Sequence, residues 1–375
     1  MAGILSADIL KRGPFPLSLL AVLSTLIAVT ASCFAADGPP PARAIGAADL
    51  EKGVPLPALI RLKDMEETYL ASGEKNEYLE RLGILYSRTG MYWQALESFD
   101  RTKPPGAAYQ ENDTDWIRAE PALSVIAAAA RGRKAVFLNE AYHVPQHRMF
   151  ATLLMKELRK AGFRYLAVGS LNESDKELSS RGYPLISRTG YYTDEPVYGD
   201  LIRTALRLGF KVVPYEAPDK PCLPPPEDRA YCLNLRDSTR ARNIFSRTLG
   251  DDPEAGVMVL AGYGQIDEKG SPAWTPMARA FRAVSGVDPL TIDQVDLMAH
   301  SSREYEDPLY DAILNTTVIS GPSVLRGQDG RLWTAPWRRN AYDIQVVHPR
   351  AAYRRGRPDW LLEGTGRKTL PVPED

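Results

Sequence analysis

Hydrophobic and polar positions form alternating blocks along most of the chain. Short continuous apolar runs, of which 135–138 is the clearest, are typical of parallel strands buried on both faces, and longer stretches with helical spacing follow them. The pattern predicts strands at 135–138, 163–168, 211–215, 256–261, 316–320 and 343–347, and helices at 121–131, 146–161, 197–208, 236–249 and 276–284. Repeated strand–helix units predict an α/β domain over 116–350, with a mostly parallel sheet and helices on both faces.

A small helical segment is predicted over residues 55–105, ahead of the α/β domain. Small residues at Gly83, Gly90 and Ala95 alternate with large ones at Tyr86 and Phe99, which resembles the spacing of a single tetratricopeptide helix pair. A generic helical hairpin is the alternative. One pair cannot bury its own face, so residues 56–99 are expected to pack on the neighbouring domain or to bind a protein partner.

The segments that flank these domains have the composition of irregular chain. Residues 36–54 are rich in Pro, Ala and Gly, and we predict a flexible linker there. Residues 351–375 are polar and Pro-rich, and we predict a loose C-terminal tail.

The overall composition is that of an ordinary globular protein. The chain has 375 residues, is 44% hydrophobic, and has 46 Lys+Arg against 47 Asp+Glu, for a formal net charge of −1. Such a chain can bury a sizeable core. Because it has no overall positive field, we predict no nucleic-acid partner.

The first 35 residues have the features of a signal peptide. Lys11 and Arg12 precede an apolar run at 16–31, and small residues follow it, which predicts cleavage after Ala35. Lipidation at Cys33 and a retained anchor helix are two other interpretations. Cleavage is preferred and predicts a periplasmic or secreted protein. Beyond residue 35 no run approaches ~20 apolar residues, so no membrane span is expected after signal removal.

Two further cysteines, Cys222 and Cys232, enclose a Pro-rich stretch. In an exported protein this spacing predicts a local disulfide, with two unpaired thiols as the alternative. A zinc site is not expected there, because no histidine is near in the sequence.

Residues 134–148 contain the main candidate chemistry. Glu140 and His143 directly follow the strand at 135–138, and a helix is predicted to begin near Pro145. Ligands in α/β sheets bind at the carboxyl ends of strands, close to helix N-termini. The prediction is therefore that Glu140 and His143 activate a water molecule. The alternative is a structural Glu140 that accepts only backbone N–H groups or an arginine.

The same segment also suggests a metal site. His147 lies four residues after His143, so both would share a face if one helix contained them, a spacing compatible with a divalent metal. Pro145 separates the two, and a solvent-facing His147 is the alternative. Arg148 is a candidate contact for an anionic part of a ligand.

Three stretches resemble the erythromycin esterase and ChaN-like superfamily, which also includes the Tiki-type metalloproteases. They are NEAYH at 139–143, RDSTRARN at 236–243 and VMVLAGYGQ at 257–265. The resemblance implies a hydrolase of the esterase or metal-dependent peptidase type, or a haem-binding or metal-binding protein on the same fold.

The chain departs from the pattern of that superfamily at two catalytic positions. Gly169 and Ser170 follow the second strand where the superfamily has a carboxylate, and Gln265 stands where it has a later histidine. Glutamine does not take up a proton near neutral pH. Glu216, which follows the strand at 211–215, is a candidate replacement for the missing carboxylate.

Four more residues are predicted to contact a substrate together with Gln265. Arg236 would neutralise a carboxylate in the site, and Asp237 is either a substrate contact or a charge at the start of the helix. Tyr191 and Tyr192 lie in a long connection of the kind that covers binding sites.

These observations together predict an exported hydrolase-like protein that acts on a small-molecule or peptide ligand through Glu140 and His143, with or without a bound metal. The alternative is a catalytically inactive protein that binds a ligand, haem or a metal on the same fold.

Overall fold

The computed structural model describes residues 39–104, 116–217, 222, 229–354 and 356–363. The predicted signal peptide, with its cleavage point and Cys33, lies outside the described residues, as do the last twelve residues of the predicted tail. Among the described helices, none is both long and apolar enough to cross a membrane.

An eight-stranded sheet forms the centre of the fold, with the strand order β1-β7-β8-β6-β2-β5-β3-β4. Strand β1 pairs with β7, and β7 with β8, in antiparallel fashion, and the other neighbours are parallel. The strands are β1 Trp116–Pro121, β2 Ala135–Glu140, β3 Phe163–Val168, β4 Lys211–Pro214, β5 Gly256–Gly262, β6 Leu290–Asp293, β7 Ser323–Gly327 and β8 Ile344–Val347. The predicted mostly parallel sheet is therefore confirmed.

Some helices precede the sheet in the chain, and others lie between its strands and cover both of its faces. They are α1 Ala47–Glu51, α2 Pro55–Lys63, α3 Glu66–Leu70, α4 Lys75–Arg88, α5 Tyr92–Asp100, α6 Ala122–Ala129, α7 Gln146–Lys160, α8 Leu178–Arg181, α9 Pro196–Arg207, α10 Arg229–Arg247, α11 Met277–Ser285 and α12 Pro308–Thr316. Alternate residues of β2 point to opposite faces: Val136 and Leu138 pack with α6, α7 and α9, whereas Ala135 and Phe137 pack with α10 and α11.

Two predictions about the regular elements are wrong. The strand expected at 316–320 is absent: α12 ends at Thr316, and the next strand begins at Ser323. Val318 in that run is 90% exposed, so its β-branched composition reflects local propensity without burial. Helix α10 begins at Arg229 instead of 236, which moves Arg236 and Asp237 two turns into the helix.

The helical segment forms the predicted helices and packs against the α/β domain. Helices α4 and α5 cross closely at Gly83, where an added Cβ would lie 2.4 Å from Phe99 Cδ2. The ring of Tyr92 in α5 lies 5.5 Å from that of Trp360 near the C-terminus. These contacts explain how a single helix pair buries its apolar face.

The described parts of both flanking segments, 39–54 and 351–354 with 356–363, are more ordered than the sequence suggested. Within the expected linker, residues 42–44 form a 3₁₀-helix and 47–51 form α1, because Ala42 is buried against α2 and α4. Within the expected tail, β9 Tyr353–Arg354 pairs with β10 Arg357–Pro358, and Trp360 in the following 3₁₀-helix is buried. One buried aromatic residue holds this segment in place.

Candidate functional site

A cavity of about 170 Å³ lies at the carboxyl ends of β2, β3, β4 and β5. Parallel pairing sets this position, because Glu140 at the end of β2 lies opposite Gly262 at the end of β5. Four of the residues predicted from the sequence line the cavity, namely Glu140, Tyr192, Glu216 and Gln265. The other lining residues are Tyr142, Val168, Gly169, Ser170, Tyr198, Tyr215, Arg240, Leu260, Ala261 and Gly262.

Glu140 belongs to a buried triad with Arg148 and Glu195. Arg148 is fully buried, and its Nε donates to Glu140 Oε2 at 2.6 Å while its Nη1 donates to Glu195 Oε2 at 2.9 Å. We expected Arg148 to contact an anionic ligand, but its anions are these two carboxylates of the protein. The triad has two negative charges and one positive charge, so its formal charge is −1.

Glu195 was not identified from the sequence. It precedes Pro196, the first residue of α9, and its carboxylate accepts hydrogen bonds from the N–H groups of Val197 and Tyr198 at 2.9 and 2.7 Å. Proline at the first helical position marks the start of a helix, so the capping role was readable from the sequence. The pairing of Glu195 with Arg148 could not be read from the sequence, because the two residues are 47 positions apart.

The second oxygen of Glu140 is free. Oε1 accepts no hydrogen bond from any described residue, although the side chain is only 7% exposed and lines the cavity. Burial raises the pKa of Glu140 above its usual value, against the opposing effect of Arg148. Because this oxygen has no protein donor among the described residues, a donor that enters the cavity can bond to it.

A second triad lies on the opposite side of the cavity. Arg240 donates from Nε and Nη2 to the two oxygens of Glu216 at 2.6 and 2.7 Å, and from Nη1 to Asp237 at 3.3 Å. Asp237 is buried and does not line the cavity; it also accepts a hydrogen bond from the indole of Trp274. This triad also has a formal charge of −1.

Glu216 lies where the sequence predicts it, at the rim beside Gly169, whereas Arg236 does not reach the cavity. A Cβ on Gly169 would lie 3.3 Å from Glu216 Oε2, so Glu216 occupies the space next to the position that lacks a carboxylate. Arg236 is exposed on α10, and the cation that pairs with Glu216 is Arg240, one helical turn later. From the sequence we assigned this role to Arg236 because we expected the helix to begin there, whereas α10 begins at Arg229.

Tyrosine rings form much of the cavity wall. Tyr142 stacks on Tyr192 with 5.7 Å between ring centres, and burial raises the pKa of Tyr142 to about 12, so its hydroxyl stays neutral. Gln265 Oε1 accepts the N–H of Gly262 at 3.1 Å, which leaves the Gln265 amide nitrogen as a donor. Tyr191 lies outside the cavity, half exposed, with its hydroxyl bound to Arg81.

His143 does not share the cavity of Glu140. It is stacked on Phe99 of the helical segment, with ring centres 3.6 Å apart, and its Nδ1 lies 3.3 Å from the hydroxyl of Tyr263. Burial lowers the pKa of His143 to about 3, so the imidazole is neutral and weakly basic. The structure therefore does not bring the proposed Glu140–His143 pair together on one water molecule.

The proposed metal pair lacks further ligands among the described residues. His147 is completely buried, and its Nδ1 accepts the N–H of Ala141 at 3.0 Å, so it is not solvent-facing and this nitrogen is already bonded. Across the described ranges, no group of three or more His, Cys, Asp and Glu side chains is arranged to hold a metal ion. The residues present do not fit the predicted metal site.

Cys222 and Cys232 are joined by a disulfide, with the sulfur atoms 2.01 Å apart and the Cα atoms 5.8 Å apart. Cys232 lies in the first turn of α10, so the bond ties Cys222 to the start of the helix that carries Arg240.

Comparisons with known proteins leave the family open. No protein-family model and no curated protein matches the chain. Two matching solved structures are described as bacterial protein toxins, each with 15% identity and TM-scores of 0.37 and 0.34. A third is RRSP, a MARTX toxin effector domain from Vibrio vulnificus, with 14% identity and a TM-score of 0.37. The matches cover 65–66% of this chain and 54–57% of the toxin chains, so this chain spans little more than half their length.

These comparisons correct the family assignment. The matching structures are toxin proteins and are not described as erythromycin esterase or ChaN-like proteins, so the assignment from three short stretches is wrong. The residues that suggested it have local structural explanations: Glu140 pairs with Arg148, and Asp237 is buried within a helix.

Proposed function

We propose that this protein binds a small organic cation in the cavity at the carboxyl ends of β2 to β5. The observation that carries the proposal is Oε1 of Glu140, which has no hydrogen-bond partner among the described residues and belongs to a largely buried carboxylate that lines the cavity and to a triad with a formal charge of −1. A second triad of the same charge lies across the cavity. A monovalent cation between them would offset charge that the described protein groups leave uncompensated.

The walls restrict the class of cation. A volume of about 170 Å³ is below the usual size of drug-binding pockets, so the ligand is compact. Tyrosine hydroxyls and the Gln265 amide supply further hydrogen-bonding groups. A primary ammonium on a short chain that carries a hydroxyl group fits these properties best, and ethanolamine is the simplest probe of this kind.

Binding is tested by titrating the protein with ethanolamine, neutral ethylene glycol and acetate. We expect only ethanolamine to bind, and we expect Glu140→Gln to weaken it about 10- to 100-fold, because a hydrogen bond to a charged group contributes ~1.5–3 kcal/mol. Isothermal titration measures both affinities. Glu157→Gln, which changes a partly exposed carboxylate paired with Lys160, is the matched control. Equal binding of all three probes, or unchanged affinity in Glu140→Gln, would contradict the proposal.

The affinity for ethanolamine should depend on pH. Because burial raises the pKa of Glu140, its carboxyl takes up a proton at a higher pH than an exposed glutamate does, and the protonated form cannot balance a cation. We expect the affinity to rise as pH increases through this pKa and then to level off while the ammonium stays charged. Titrations from pH 4.5 to 8 measure the trend, which should be absent in Glu140→Gln. An affinity that falls with rising pH in this range would contradict the assignment.

Hydrolysis by Glu140 is the second candidate function. The specific observation in its favour is the same free oxygen on a carboxyl whose pKa is raised by burial, since a base with a pKa nearer neutrality is more effective. Glu140 would act without His143, which lies outside its cavity. Turnover of O-acetyl-ethanolamine that is lost in Glu140→Gln would favour this function. Binding without turnover would support the binding proposal and count against hydrolysis.

A further inference from the structure

A second pair of side chains, Asp100 and His300, links the helical segment to the sheet. Asp100 ends α5, and His300 lies in the loop after β6. His300 Nδ1 is 2.6 Å from Asp100 Oδ1, and Ser301 donates to Asp100 Oδ2 from its backbone N–H at 2.7 Å and from its hydroxyl at 2.6 Å. Three hydrogen bonds therefore fix the carboxylate against the imidazole.

The partners of Asp100 determine the tautomer of His300. Burial opposes ionisation of Asp100, but hydrogen bonds from His300 and Ser301 lower its pKa below the usual value. An ionised carboxylate only accepts, so His300 Nδ1 carries the hydrogen and Nε2 of the neutral ring keeps its lone pair. Nε2 makes no hydrogen bond to the described residues, and the side chain is 20% exposed.

His300 lies where two clefts meet, and both are distinct from the Glu140 cavity. Each cleft has four Tyr, Trp or Phe side chains in its walls, but their charges differ: the first, of about 310 Å³, has two arginines and one glutamate, and the second, of about 620 Å³, has more acidic than basic side chains. The aromatic residues of the first are Tyr92, Trp93, Tyr353 and Trp360. The charged residues of the second, apart from Asp100 and His300, are Glu80, Lys103, Asp296, Glu306, Asp307 and Arg338, of which Asp296 and Arg338 form an ion pair.

We propose that His300 is a general base, positioned by Asp100, for the hydrolysis of esters that carry an aromatic group on one side and a positive charge on the other. The aromatic group would occupy the first cleft and the cation the second, which places the scissile bond beside Nε2. A carboxylate that fixes the imidazole and stabilises its protonated form is the arrangement by which histidine activates oxygen nucleophiles.

The reaction needs only water. As the water oxygen bonds to the ester carbonyl carbon, one water proton moves to His300 Nε2. When the tetrahedral intermediate collapses, the bond between the carbonyl carbon and the alkoxy oxygen breaks, and the proton on Nε2 passes to the leaving oxygen. The products are a carboxylic acid and an alcohol, and His300 returns to its neutral form.

The test uses N-benzoyl-arginine ethyl ester, with N-benzoyl-leucine ethyl ester as its uncharged counterpart. We expect acid release above the buffer rate, faster for the arginine ester, and a loss of about 100-fold or more in His300→Asn. Asparagine keeps a donor for Asp100 and lacks the base, so thermal unfolding should show a folded variant. Glu304→Gln, exposed in the same region, is the control.

A pH profile tests the role of Asp100 as a positioning residue. In Asp100→Asn we expect a slower rate and a lower apparent pKa in the rate profile, because the carboxylate no longer stabilises the imidazolium. An unchanged rate in folded His300→Asn would overturn the proposal. So would a wild-type protein that hydrolyses neither ester above the buffer rate, or one that prefers the leucine ester.

Discussion

Replacing Arg148 with methionine is expected to lower the free energy of unfolding by about 3–5 kcal/mol, the usual effect of removing one member of a buried ion pair. The guanidinium is fully buried and bonds to two carboxylates, Glu140 and Glu195. Methionine fills similar space but leaves both acids without a counter-charge. Urea unfolding near pH 7 measures the change.

The size of this loss should depend on pH and on the two acids. Without Arg148 their protonated forms are favoured in the folded state, so the variant should regain stability as pH falls. Adding Glu140→Gln and Glu195→Gln should restore part of the lost stability at neutral pH. Arg133→Met is the control, because that arginine forms an exposed pair with Asp288, worth at most about 1 kcal/mol. If Arg148→Met and Arg133→Met lower the free energy of unfolding by the same small amount, Arg148 does not hold a charged triad.

The sequence predicted the parallel centre of the sheet because its strands are continuous apolar runs buried on both faces. The run at 163–168 forms β3 with the predicted bounds. Strand β6, Leu290–Asp293, is as short as β4 and β8 but was missed because Thr291 and Asp293 interrupt its apolar residues, so it is not a continuous apolar run. The folded C-terminal segment was missed for another reason: Trp360 orders polar chain by inserting among residues from distant helices.

For the site, the sequence located the rim of the sheet but not the pairing of charges across it. Glu140, Tyr192, Glu216 and Gln265 were found because they follow strands or lie in a connection at that rim. The partners that set their chemistry could not be assigned, because contacts such as Arg148–Glu195 depend on tertiary packing. His143 shows the opposite error: it is close to Glu140 in sequence, but Phe99 from the helical segment holds it elsewhere.

Gly262 tests whether the shape of the cavity matters as much as its charge. An added Cβ would lie 1.9 Å from the hydroxyl oxygen of Tyr142 and 2.4 Å from Cζ, so Tyr142 must move in Gly262→Ala. Its ring is held between Tyr192 and Tyr263, and it forms a wall of the cavity. We expect at least about a tenfold loss of ethanolamine affinity and a loss of about 1–3 kcal/mol in stability from overpacking.

A double variant separates this steric effect from a general weakening of β5. Tyr142→Ala removes the group that the new methyl contacts, so in its presence Gly262→Ala should cost much less stability than it does alone. Gly321→Ala is the control, since an added Cβ there meets no atom within 4 Å. Urea unfolding of the four members of the cycle measures the coupling. Additive losses would show that Tyr142 does not limit the space at Gly262, whereas strong coupling means that one glycine at the end of β5 sets the position of the tyrosine wall facing Glu140.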